Sequence, residues 1–150
     1  MAVTFAFLHH VAAFALFAAV IVEFVLLRLP LTPGSARAIQ RADIALGVSA
    51  TVLLLVGLTR VFHYEKGASY YFHSWPFIAK LSLFVIAALL SIVPTIEFRA
   101  WRQSLAQGKA PSVSDESMRR LRLIIHLEMV AVVLILLCAA LMARGIGIIH

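Results

Sequence analysis

The chain is poor in charge, in acid and in cysteine, and each shortage excludes something. Only 13% of its 150 residues are Asp, Glu, Lys or Arg, against 63% apolar residues. A small water-soluble domain exposes too much of its surface to carry that composition. The single cysteine, Cys138, excludes an intramolecular disulfide framework. Four scattered methionines and that one thiol do not make a soft-metal site. Seven acidic residues face thirteen basic ones, a formal charge of +6. The basic residues flank apolar runs, so the excess reads as membrane orientation and not as a nucleic-acid partner. There is no internal repeat and no nucleotide-binding glycine motif. No Lys or Arg precedes Arg28, so the first apolar run lacks the positive start of a secretory signal and reads as a retained helix.

What remains is long apolar sequence in four pieces, each near the roughly 20 residues that cross a bilayer. They are Val3–Leu29, Ile44–Phe62, Trp75–Phe98 and Leu121–Met142. Thr32-Pro33 has the form of an N-cap followed by proline, which moves the second helix start back to Pro33. Residues 63–74 form a short turn rich in His and Tyr, and residues 101–117 a polar loop with room for helical turns at its start. The expected architecture is all-α, a single four-helix transmembrane bundle over residues 1–150.

Four spans place Arg28, Arg37, Arg41, Arg99, Arg102, Lys109, Arg119, Arg120 and Arg122 on one side. Arg60, Lys66, Lys80 and Arg144 fall on the other. Nine against four puts both termini on the non-cytoplasmic side of the membrane.

Two polar levels stand out. At the outer one, His9 is about 9 Å into its helix and shares a face with Ala12, Ala13, Leu16, Ala19 and Glu23. Those small residues permit close packing and turn His9 to the bundle side. His10 falls on the bulkier face of Ala6, Phe14 and Phe17. Arg60, His63, Tyr64, Tyr70, Tyr71, His73, Trp75 and Lys80 reach the same level. An interface belt and a snorkelling Lys80 account for several of them. Imidazole beneath the interface is also a neutral ligand for haem iron, with Arg60 and Lys80 placed for propionates. His9 is the expected iron ligand and His63 or His73 the second.

At the inner level Glu23, Arg41, Asp43, Glu97 and His126 approach one another, and arginine pairing is the expected fate of the acids. Glu128 lies almost opposite His126 around the fourth helix, which raises a homodimer. Pro94 must free the carbonyl of Leu90, with Ser91 or Thr95 near enough to compensate.

The runs LHHVAAFALFAAVIVEFVLLR, RVFHYEKG, AKLSLFVIAALLSIVPT and ALMARG resemble the bacterial four-helix inner-membrane family called domain of unknown function 2214. A weaker likeness is to HemJ-type protoporphyrinogen oxidases and CopD-type membrane proteins. It rests on His9, on the run Leu16-Phe17-Ala18-Ala19 seven residues later, and on Lys80-Leu81. That likeness implies haem binding dependent on the histidine and the lysine. The function expected is therefore a membrane b-type haem protein with a redox role. Its partner would be membrane-soluble or a porphyrin, and a haem-dependent oxidoreductase is one form of the reading. A non-catalytic membrane scaffold or a small ion or metal transport subunit is the alternative.

Overall fold

The structure is a computed structural model and describes residues 2–64 and 73–147. Lys66, Tyr70 and Tyr71, together with the side chain of Tyr64, lie outside the described residues.

Helix α1 runs Ala2–Leu26. Arg28 folds back over its last turn, donating to the Phe24 carbonyl at 2.7 Å with the guanidinium 3.5 Å from the Phe24 ring centroid. A cation at that end also complements the helix dipole. Helix α2, Pro33–Thr59, opens on a capping box. Thr32 Oγ1 accepts from Ser35 N–H at 3.1 Å, and Ser35 Oγ accepts from Thr32 N–H at 2.9 Å. The Thr-Pro pair thus starts the helix where the sequence indicates. A π-helical turn over Arg60–Tyr64 continues α2, an element that apolar periodicity does not announce.

Helix α3 spans Trp75–Ala100 with Pro94 buried inside it, and a short α4 follows at Arg102–Ala106. The hydroxyls beside Pro94 are engaged elsewhere. Ser91 donates to Ala88 O at 2.8 Å and Thr95 to Asp43 Oδ1 at 2.6 Å. Each hydroxyl has one hydrogen, so neither donates to the carbonyl of Leu90 as expected. Helix α5, Asp115–Ala143, begins six residues before the apolar run, because Ser114 caps a polar first turn carrying Asp115 and Glu116.

Among the described residues four helical stretches are long and apolar enough to cross a membrane, over Val3–Leu26, Pro33–His63, Trp75–Ala106 and Asp115–Ala143. Their exposed residues include Phe14, Leu55, Leu89, Ile96 and Leu137, as lipid-facing positions require. The chain is a multi-pass membrane protein. Helices α1 and α2 pack together, as do α3 and α5; α1–α5 and α2–α3 contacts close the ring.

The ends differ. Near residues 27–37 and 98–125 the bundle is solid, and this is called the basic end below. Leu27, Ala36, Ile39, Phe98, Trp101, Leu105, Leu121 and Ile125 form one buried cluster there. Side chains lace it to distant carbonyls: Arg122 Nε donates to Leu27 O at 2.7 Å, Arg37 Nη2 to Leu105 O at 3.1 Å, and Gln40 Nε2 to Phe98 O. Toward the other end, where the described residues of both termini lie, the bundle hollows out.

Candidate functional site

The hollow is a cavity of about 660 Å³ walled by all four long helices. Leu16, Phe17, Leu53, Leu58, Phe77, Leu81, Phe84 and Ile135 make it apolar, and His9, His10, Arg60 and Lys80 supply its polar groups. Gly145 and Ile146, just beyond α5, line it as well.

The spacing rule that placed His9 with Ala12, Ala19 and Glu23 holds, since these three are buried in the bundle. Its imidazole packs on α2 at Gly57, where an added Cβ would stand 3.5 Å from Cε1. His10 is exposed, yet it too lines the cavity. Its Nδ1 lies 2.6 Å from the Ala6 carbonyl oxygen. A carbonyl only accepts, so Nδ1 carries the hydrogen and the neutral ring keeps its lone pair on Nε2. The sequence ranked His10 below its neighbour because of the bulky side chains on its face. Phe17, one of those residues, is itself part of the cavity wall. The His9 and His10 rings meet edge to face with centroids 6.2 Å apart.

Of the five residues read as cofactor-binding, His9, Arg60 and Lys80 come together on this cavity. His63, on the π-helical turn, and His73, just before α3, are exposed and do not line it. Among the described residues no group of three or more His, Cys, Asp or Glu side chains is arranged to hold a metal ion.

Deeper in the bundle, a second cavity of about 50 Å³ shares Leu16, Phe84, Val132 and Ile135 with the first. Glu128 lies on its wall. Below it comes a polar layer of Glu23, Asp43, Thr95 and Glu128, one residue from each long helix. Each is three or four positions from a member of the solid core, namely Leu27, Ile39, Phe98 and Ile125, which places the acids one turn above that core. Glu23 is fully buried and Glu128 2% exposed. Neither oxygen of either carboxyl has a hydrogen-bond partner among the described residues.

The arginine pairing expected of the inner acids is not what Glu23 finds. Its electrostatic neighbours are Asp43 and Glu128, while Arg41 points to the exterior. Arg28, Arg37 and Arg122 spend their guanidinium groups on carbonyls at or just past helix ends, where unsatisfied acceptors attract donors as a carboxylate does. His126 leaves the layer too: it is exposed, its ring stacked on Phe24 at 6.0 Å. Glu128 takes the inward position that spacing alone left open between the two.

The chain belongs to the family described as Predicted membrane protein (DUF2214), whose profile matches residues 1–147. No curated protein and no solved structure matches it.

Proposed function

We propose that this family member binds haem b in the large cavity and has a redox or electron-transfer role. The observation that carries the reading is the meeting of His9, Arg60 and Lys80 on one apolar cavity. Apolar walls suit a macrocycle, and a volume of this size is ordinary for a small-molecule site. His9 offers an imidazole for iron, Arg60 and Lys80 offer cations for propionates, and His10 is a further imidazole on the same wall. The HemJ-like placing of His9 and Lys80-Leu81 supports the same assignment. When bound, the haem supplies the electron chemistry. His9 would hold its iron and Arg60 and Lys80 its propionates, with the apolar walls against the macrocycle.

The family resemblance supports a bacterial inner-membrane location, and the nine-to-four division of basic residues supports both termini on the non-cytoplasmic side. The large cavity then faces outward, toward a membrane-soluble redox partner. The outward position of His126 supports a homodimer, which mass measurement in mild detergent decides.

Absorption spectroscopy tests the cofactor. Protein made with ample haem should show a Soret band that His9→Ala abolishes or shifts while the bundle stays assembled. Folded wild-type protein that has no Soret band, and gains none on haem titration, overturns the reading and leaves the scaffold and the ion or metal transport subunit.

A further inference from the structure

Three carboxyl groups in one layer of a membrane bundle demand a counter-charge. An ionised carboxylate moved into an apolar interior without compensation is prohibitively costly, on the order of tens of kcal/mol in the limiting case. Here the compensation visible around the layer is small. From α3 come the Thr95 hydroxyl, given to Asp43 Oδ1, and the exposed Arg99, within electrostatic reach of Asp43. From α1, α2 and α5 come the acids themselves, Glu23, Asp43 and Glu128, close enough to act on one another. The four oxygens of Glu23 and Glu128 lack hydrogen bonds among the described residues.

The approaches to the layer are unequal. On one side the cavity of about 50 Å³ touches Glu128 and shares four wall residues with the large cavity. On the other side lie Leu27, Ile39, Phe98 and Ile125, each at most 1% exposed. A cavity of roughly 10–15 Å³ already admits a water molecule, so the small cavity has room for water beside Glu128. Among the described residues no group of three is arranged to hold a metal ion. A proton needs no such cage. It needs an oxygen with a lone pair and a water beside it.

We propose that Glu23, Asp43 and Glu128 form a proton-binding site inside the bundle, filled from the large cavity through water beside Glu128 and closed toward the basic end by the apolar layer. The water accepts a proton arriving from the large cavity as it gives one of its own to a Glu128 oxygen, so it remains water, and the proton is shared with Glu23 and Asp43. No electron moves and no bond other than O–H changes. The acids take no part in the haem reading, because none of them lines the large cavity; only the water route to them passes through it.

Infrared difference spectroscopy of the full-length protein in detergent tests it. Titration of wild type should change a protonated-carboxyl carbonyl band that shifts in D2O. Glu128→Gln and Glu23→Gln should each remove part of that band. Val132→Phe, which fills the small cavity and leaves the acids in place, should slow the D2O shift at least tenfold. Replacing choline chloride by sodium chloride at fixed pH should leave the band unchanged. The proposal is overturned by a band that both glutamine variants retain, by a wild-type band that sodium displaces, or by an unchanged exchange rate in Val132→Phe. If the glutamine variants do not fold, the sodium and Val132→Phe measurements still decide it.

Discussion

His9 rests against Gly57: a Cβ built on that glycine would lie 3.5 Å from Cε1 and 3.8 Å from Nδ1 of the imidazole. The distance is ordinary van der Waals contact, so one methyl group fits and a branched side chain does not. Gly57→Ala should keep the fold and the His9 position, with stability unchanged or raised by up to about 1 kcal/mol. Gly57→Val should displace the ring and weaken ligand binding at the cavity. Thermal unfolding and ligand titration of the two variants, side by side, check this.

Gly147 is tighter. Its φ of +91° is a conformation that L side chains rarely adopt, and a Cβ there would run into Trp75 Nε1. Its carbonyl accepts from the Trp75 N–H at 3.1 Å, fastening the segment after α5 to the start of α3. Gly147→Ala should cost roughly 1–3 kcal/mol and detach that segment. Trp75 fluorescence, read in a Trp101→Phe background, should shift on substitution.

The Thr95–Asp43 bond joins α3 to α2 across the polar layer. Thr95→Val keeps the shape and removes the hydroxyl donor, leaving an Asp43 oxygen without it. A loss of roughly 1–3 kcal/mol is expected, with Thr95→Ser recovering most of it. Denaturant unfolding in detergent measures both.

Arg122 ties α5 to the end of α1 through the Leu27 carbonyl. Arg122→Met retains much of the stem and loses the charged donor. Stability should fall by roughly 1.5–3 kcal/mol, and hydrogen exchange at the end of α1 should rise. An unchanged exchange rate there would show that the bond does not hold the helix end.

Much of the fold is legible in the residues. Four apolar runs became four spans, Thr32-Pro33 became a cap, and the start of the 101–117 loop became α4. The early start of α5 was hidden, because hydropathy marks the part of a helix that meets lipid and passes over a polar turn such as Asp115–Arg120. His9, Arg60 and Lys80 could be assembled because their depths follow from counting residues. The partner of Glu23 could not. Depth is one coordinate, and whether an arginine at the right depth turns inward or takes a carbonyl depends on the rotation of each helix. The same indeterminacy left His126 and Glu128 interchangeable until the packing chose Glu128.

The solid core at one end and the hollow at the other make this bundle a cup with a braced base. Arg122, Arg37 and Gln40 cross-link the base by bonds between residues 95, 68 and 58 positions apart in sequence. Enlarging a side chain in the base forces helices apart, whereas enlarging one on the wall of the hollow only takes up space. The bowl is therefore where this scaffold tolerates substitution and can be recut for occupants of different shape. The base keeps its outline while that happens.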